Sequence, residues 1–348
     1  MDITQFLINK NQNIVEALDK LNSIKDSARL ILFVQDENGI IIGSLTDGDI
    51  RRSLIVDKDL NKNLEEICAV NFSFSYESKN YLSFKSHQKN NFRIIPLLTK
   101  EKKLSKIIDL NKQTCILPLE VVIMAGGRGK RLSPLTDTIP KPMLPLGDKP
   151  IIEHNIDRLI SFGIDKIHIS VSYLGDKIKA HFGSGENKNI NINYVEEDKP
   201  LGTVGSLTLI KNIHTDYILL MNSDLYTNID IDKMYNSMIE QNADMIIASK
   251  DYSVNVPFAI FETESTNQIK SFVEKPKYTY SSNAGIYIFK RELIEMIPVN
   301  EFFDITDLID KLLKFNYKIF HHPIRGYWID IGKLEDYNKA IDLNKYQN

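Results

Sequence analysis

The stretch of residues 121–145 reads VVIMAGGRGKRLSPLTDTIPKPMLP. It opens on Val121, Val122, Ile123 and Met124, a β-branched apolar run of the kind that forms a buried parallel strand. The run ends at Ala125 and passes into Gly126, Gly127 and Gly129, interleaved with Arg128, Lys130 and Arg131. Glycines let a backbone turn sharply and approach a ligand closely, with amide N–H groups free for an anion. Arg131 suits bidentate phosphate contacts and Lys141 a point contact. A strand, a glycine loop and cations in this order describe a polyphosphate site.

Two other phosphate loops are excluded. A P-loop needs Gly five residues before its Gly-Lys pair and Ser or Thr after it, where this chain has Met124 and Arg131. A dinucleotide fingerprint needs Gly at Leu132 and a helix directly after the loop. Pro134, Pro140, Pro142 and Pro145 keep the segment irregular instead. A lone Gly-Gly-x-Gly also fits an ordinary surface turn. Here Gly-Gly-x-Gly-x-Arg-Leu is followed by Pro-Lys-Pro-Met, and together they resemble the signature of the sugar-1-phosphate nucleotidyltransferases. That pattern is roughly Ala-Gly-Gly-x-Gly-Thr-Arg-Leu, then Pro-Lys-Pro-Met or Leu. Lys130 stands where the pattern has Thr, and it adds a cation.

At 348 residues, 43% hydrophobic and 26% charged, the chain is globular and long enough for two domains. A net charge of −3 gives no reason to expect nucleic acid or an anionic membrane as partner. The opening MDITQFLINKNQ lacks a basic-then-apolar signal pattern, and no apolar run approaches membrane-spanning length. Cys68 and Cys115 cannot form a disulfide framework and read as buried thiols. A cytoplasmic protein is expected.

Residues 1–117 read as a separate, smaller α+β unit. Residues 13–21 have helical spacing, 30–35 read as a strand, and Glu37-Asn38-Gly39 as a turn before Ile40-Ile41-Ile42. Gly43-Ser44-Leu45-Thr46-Asp47-Gly48-Asp49-Ile50 then passes from strand to helix. This helix, two strands and helix resemble one CBS motif. Residues 94–98 and 103–110 outline a second copy that lacks the Gly-x-x-Thr/Ser-Asp turn. The resemblance to a CBS pair implies that Thr46, Asp47 and Asp49 hold the ribose of an adenine nucleotide. The alternative is a regulatory or dimerisation module with an empty site. CBS pairs commonly associate, so a homo-oligomer is expected.

Residues 118–348 alternate strands and helices. Helices are expected at 151–160, 176–182, 203–210 and 234–240, and strands at 166–173, 190–196, 216–222 and 245–249. The alternation predicts an α/β domain with a doubly wound, mostly parallel sheet. Residues 258–261 and 269–272 read as a hairpin around Ser265-Thr266-Asn267, which would make the sheet mixed. The resemblance likewise implies the Rossmann-like nucleotidyltransferase fold.

Open α/β sheets hold ligands beyond the carboxyl ends of their strands, where most remaining candidates lie. Asp224 closes Leu219-Leu220-Met221-Asn222-Ser223, and Asp330 sits in Tyr327-Trp328-Ile329-Asp330-Ile331-Gly332. A single Asp at a strand end is more often a cap or turn residue. The resemblance makes this pair ligands of Mg²⁺, which prefers hard oxygens together with substrate phosphates. It implies nucleotide contacts from Ala125, Gly126, Gly127 and Gly129, and from Gly202, Thr203 and Ser206 beside the nucleobase. It also puts Glu274 on a sugar hydroxyl, Lys275 on the sugar phosphate, Asn283 on the sugar, and Gly285 where the sugar needs room. The seven histidines have no partner at metal or triad spacing and read as structural.

The reaction implied is attack of a sugar 1-phosphate oxygen on the α-phosphorus of a nucleoside triphosphate, with loss of pyrophosphate. A phosphate oxygen is already anionic at neutral pH, so no protein nucleophile is needed, and catalysis is positioning plus charge neutralisation. Arg131 and Lys141 would stabilise pyrophosphate and Lys275 the attacking phosphate. Pro140-Lys141-Pro142-Met143, Met221-Asn222 and Ile329-Asp330-Ile331-Gly332 resemble the guanylyltransferase branch. With a CBS pair ahead, the chain is similar to the glucosamine-1-phosphate guanylyltransferases of bacterial legionaminic acid synthesis, which implies GTP and glucosamine 1-phosphate. Mannose, heptose or glucose 1-phosphate with GTP, CTP or dTTP are alternatives within the class. A sugar-nucleotide sensor without turnover is the rival from another class, and intact Arg131, Lys141, Asp224 and Asp330 argue against it. No hexapeptide repeats follow Asn344, so acetyl transfer is not expected.

Overall fold

Asn13 accepts a hydrogen bond from the Glu16 amide at 3.0 Å, and Glu16 accepts one from the Asn13 amide at 2.8 Å. This capping box starts the helix Ile14–Ser23, which buries Ile14, Ala17 and Leu21. It belongs to the first unit of a computed structural model that describes residues 3–24, 30–78, 80–89 and 92–346. That unit comprises Met1–Leu117 with Ser161–Gly163, and the second comprises Pro118–Ile160 with Ile164–Asn348.

In the first unit, Leu7–Asn9 pairs parallel with Ile31–Gln35, which pairs antiparallel with Ile41–Thr46. Ser75–Tyr76, Ile94–Leu98 and Leu104–Asp109 repeat the arrangement, parallel and then antiparallel. Even the register shift recurs, at Val34/Gln35 and at Leu97/Leu98. The residues expected to close the second copy, 103–110, hold the strand Leu104–Asp109. The two halves share a core: Ile94, Leu98, Leu104 and Ile107 of the second lie in one cluster with Ile14, Leu32, Phe33, Leu45 and Leu64 of the first, while Phe84, Ile95, Leu97 and Ile108 form another.

The second unit is built on a seven-stranded sheet. Its order is Asn191–Glu196, Lys166–Val171, Leu119–Met124, Tyr217–Asn222, Lys277–Lys290, Met245–Asn255 and Ile319–Pro323. The first four run parallel, and only Lys277–Lys290 runs antiparallel to its neighbours. The sheet is therefore mixed, but not through the expected hairpin. That hairpin, Ile260–Thr263 with Ile269–Val273, forms a separate two-stranded sheet. The expected helix at 203–210 is a short 3₁₀ turn, Gly205–Leu209, because Thr203 is bonded to Asp304 and its neighbour and so leaves the helical path.

The helix Ile305–Lys314 sends Ile305, Leu308 and Leu312 into one cluster with Val122, Leu220 and Phe289 of the sheet. From Leu119–Met124 the chain moves outward through Lys166–Val171 to Asn191–Glu196, then returns to Tyr217–Asn222 on the other flank. The strand order thus reverses between Leu119–Met124 and Tyr217–Asn222, the switch point where open α/β sheets bind ligands. No helix of the described residues is long and apolar enough to cross a membrane.

Candidate active site

A cavity of about 490 Å³ opens at that switch point, between the glycine loop after Met124 and the residues after Asn222. The loop is held from below. Leu132, Leu144 and Leu146 share a buried cluster with Tyr226, Ile331 and Tyr337. Gly129 takes φ +62°, and a Cβ there would stand 3.0 Å from the Lys141 Cβ, so the two ends of the loop touch. The Thr136 hydroxyl fixes this closure by donating to the Gly129 carbonyl at 2.9 Å.

Lys141 is buried, and its ammonium donates to Asp224 Oδ2. The other Asp224 oxygen, Oδ1, is buried without a hydrogen-bond partner. The Asp224 carbonyl accepts from the Ile331 amide at 3.0 Å, and Leu225 pairs with Asp330, which sets the two carboxylates side by side. Burial pushes the Asp330 carboxyl above the ordinary carboxylate range. The neighbouring Asp224 charge adds to this, while Lys141 and Arg131 oppose it. The Arg131 guanidinium lies across Gly332, 3.7 Å from where a Cβ would stand. Arg131, Asp330 and Gly332 also line an adjoining space of about 380 Å³.

The far wall is the second glycine loop. Gly202 takes φ +76°, and a Cβ would meet the Phe303 carbonyl at 2.6 Å. The Thr203 amide donates to Asp304 Oδ1 at 2.9 Å, and its hydroxyl accepts from the Ile305 amide at 2.6 Å. The loop is thereby tied to the start of the Ile305–Lys314 helix.

Gly126, Gly127, Gly129, Arg131, Lys141, Gly202, Thr203 and Asp224 all line the cavity. Ala125 and Ser206 lie behind the wall. The Ala125 amide donates to the Ser170 carbonyl at 2.9 Å, and the Ser206 hydroxyl rests 3.9 Å from Met124 Sδ. Gly285 stands one layer out, where a Cβ would be 2.7 Å from Nδ2 of Asn222, itself a wall residue. The exposed Asn283 accepts from the Gly285 amide at 2.9 Å. Glu274 and Lys275 are exposed beyond the Ile269–Val273 strand and do not line the cavity. In the first unit, Thr46 and Asp49 cap the helix Asp47–Asp57 together, the hydroxyl donating to the carboxylate at 2.6 Å. Asp47 and Asp49 also pair with Arg51 and Arg52. The histidines stay out of the cavity; His168, for example, lies 3.2 Å from the buried Glu120.

The structure adds residues to this list. Glu197 lines the cavity, accepting from the Ser170 hydroxyl and from the Leu201 amide, the latter at 3.2 Å. Its signal was present: a carboxylate just past the strand Asn191–Glu196, as Asp224 stands past Tyr217–Asn222. Asp304 was legible only as a helix cap, with Asp307 three residues on. Lys130 also lines the cavity, exposed, and its side chain has no hydrogen bond or ion pair among the described residues. No group of three or more His, Cys, Asp or Glu among the described residues could hold a metal ion alone.

Comparison with known proteins follows the same outline. Residues 120–346 match the family model described as Nucleotidyl transferase. The UTP–glucose-1-phosphate uridylyltransferase of Synechocystis sp. is 31% identical over 242 residues, which cover 64% of this chain. The chain spans 62% of the length of that relative. The D-glycero-alpha-D-manno-heptose 1-phosphate guanylyltransferase of Aneurinibacillus thermoaerophilus is 32% identical over 231 residues, covering 64% of this chain and 96% of its own length. HddC from Yersinia pseudotuberculosis complexed with GMP-PN superposes with a TM-score of 0.51 at 30% identity, over 64% of this chain and 98% of that one.

Proposed function

The chain belongs to the Nucleotidyl transferase family, and on that premise we propose that it joins a nucleoside triphosphate to a sugar 1-phosphate, giving a nucleoside diphosphate sugar and pyrophosphate. The observation that carries this reading is the gathering of Arg131, Lys141, Asp224 and Asp330 around one cleft at the switch point.

A sugar 1-phosphate oxygen forms a bond to the α-phosphorus while the bond from that phosphorus to the β-phosphate oxygen breaks. The amides and cations of the 126–131 loop face the triphosphate. Arg131 and Lys141 offset the charge that grows on departing pyrophosphate. Glu197 and the Gly202–Thr203 loop form the wall available to the nucleobase. Glu274 and Lys275 stand outside this cleft, and no step is assigned to them.

The acid pair fits Mg²⁺. Asp224 offers a buried oxygen without a hydrogen-bond partner, and Asp330, set beside it by the Leu225 pairing, is a second hard oxygen donor. Bound there with the substrate phosphates, Mg²⁺ supplies the positive charge that two carboxylates and a triphosphate need to coexist.

We favour GTP on the residues that resemble the guanylyltransferase branch, and glucosamine 1-phosphate on the CBS-like unit ahead of them. Heptose 1-phosphate is the second acceptor, because the relative matched along 96% of its length carries that name. We read the first unit as a CBS pair, supported by its repeated three-stranded topology.

A coupled assay of pyrophosphate release, run over the common triphosphates and a panel of sugar phosphates, tests the proposal. Turnover is expected for wild type. Asp224→Asn and Asp330→Asn should each lower it about a thousandfold with the circular dichroism spectrum unchanged. Tight nucleotide binding without pyrophosphate from any sugar phosphate would instead establish a sensor.

A further inference from the structure

The segment Glu301-Phe302-Phe303-Asp304 carries two phenylalanines in tandem, and their side chains part. Phe303 packs against the buried cluster that holds Ile305, Leu308 and Leu312. Phe302 lines the cavity instead, 61% exposed and without a ring contact among the described residues. Its companions on the wall are glycines, prolines, Met124 and polar or charged side chains, so it is the one aromatic ring lining this space among the described residues.

The backbone that carries Phe302 is held firmly. The Phe303 amide donates to the Leu201 carbonyl at 2.9 Å, and the Phe303 carbonyl accepts from the Val204 amide at 3.1 Å. A Cβ on Gly205 would stand 2.7 Å from the Glu301 carbonyl oxygen, and one on Gly202 would stand 2.6 Å from that of Phe303. These two glycines therefore let residues 301–304 lie directly against the second glycine loop. Asp304 completes the lacing by accepting from the Thr203 amide at 2.9 Å. A ring on so constrained a backbone has little freedom left to lose when a ligand binds.

The parts of a nucleoside triphosphate need different surroundings. Its phosphates need cations and amides, which the 126–131 loop supplies. Its base needs contact for a flat π face, and an aromatic ring provides it. On the reading of this cavity as a nucleoside triphosphate site, we propose that Phe302 is the platform on which the nucleobase stacks. Phe302 stands with the Gly202–Thr203 loop and not with the Asp224–Asp330 pair, where the reacting phosphates meet, so the base and not the acceptor sugar is its occupant. Every base has a π face, so the ring raises affinity without choosing among bases. That choice is left to polar groups on the wall.

Isothermal titration calorimetry of the full chain tests this, using GTP, ATP and CTP with Mg²⁺, and inorganic tripolyphosphate as a probe that lacks a base. The proteins are wild type, Phe302→Ala, Phe302→Leu and Phe302→Trp; the side chain is exposed, so its removal leaves no hole in the core. Phe302→Ala should weaken every nucleotide that wild type binds about 10- to 30-fold, by one common factor, so that their ranking is unchanged. Phe302→Leu, apolar but without a ring, should recover part of this loss, and Phe302→Trp all of it. Tripolyphosphate should bind the four proteins equally. In the coupled assay Phe302→Ala should raise the KM of the triphosphate and leave kcat and the KM of the sugar phosphate within about twofold, because stacking acts on ground and transition states alike. Unchanged nucleotide affinity in Phe302→Ala, an equal loss for tripolyphosphate, or a rise confined to the KM of the sugar phosphate would overturn the proposal. Each of these leaves wild-type turnover intact and so spares the proposed reaction, whereas a wild type that binds no nucleoside triphosphate sinks both.

Discussion

Lys130 is the residue at which this chain departs from its expected pattern, and its side chain faces the cavity with no ion-pair partner among the described residues. Lys141 differs, since its charge is engaged by Asp224. An unengaged ammonium beside Arg131 should grip the terminal phosphates, and so the pyrophosphate that they become. Lys130→Thr should therefore raise the product-inhibition constant for pyrophosphate about tenfold and leave the KM for sugar phosphate unchanged. Initial-rate inhibition kinetics check this. Equal inhibition in both proteins would remove Lys130 from the phosphate site. The cations and glycines of the loop were legible because their chemistry is local: neighbours in sequence are neighbours in space. Asp304 comes to the cavity on another element and reads in the sequence only as a helix cap, while Glu197 holds the strand-end position that Asp224 has, without a motif around it to single it out.

The helix Ile151–Ser161 is tied to the turn Glu186–Lys188 by charge. Lys188 reaches Glu153 at 2.7 Å and Asp157 at 2.6 Å, and Lys149 joins Asp157 at 2.8 Å. Burial alone would raise both carboxyls. Hydrogen bonds from Lys188 and His181 to Glu153, and from Lys149 and Lys188 to Asp157, outweigh it and hold both below their ordinary values. Carboxyls depressed in the fold add stability above their unfolded values and lose it as pH falls through the folded ones. Lys188→Met should cost about 1 kcal/mol at neutral pH. The gap to wild type should close below about pH 4, as urea titrations at several pH values would show. A gap that persists in acid would assign the loss to packing.

Elements with a strong local signal, such as the helical period of 151–160 and the apolar run of 216–222, were legible within a residue or so. The 203–210 turn was not, because bonds to Asp304 and Ile305, a hundred residues away, override its local preference. Nor could the sequence tell that the antiparallel member of the sheet is Lys277–Lys290, since alternation identifies a strand but not its neighbour.

At the scale of the whole chain, two units with separate cores predict two calorimetric transitions. Each ligand should raise only the transition of the unit that binds it. Mg²⁺ with GTP should shift one and an adenine nucleotide the other. If adenine nucleotide moves neither, the Thr46–Asp49 cap is only a helix start. The division near residue 117 was legible as a change of grammar, from a repeated α+β pattern to βα alternation.

The fourteen residues Lys277–Lys290 are one strand with two different supports. Tyr287 to Phe289 is paired on both sides, Lys277 to Ser282 by one strand only, and the chain ahead of Lys277 leads into the exposed hairpin. Mechanically this is a cantilever, clamped in the core and free at its tip. Its stiffness should fall steadily outward, and hydrogen exchange can measure that gradient amide by amide. Exchange should be slowest at 287–289 and fastest at 277–282. Uniform protection along the beam at high dilution would show that its outer half is clamped by something other than its partner strand.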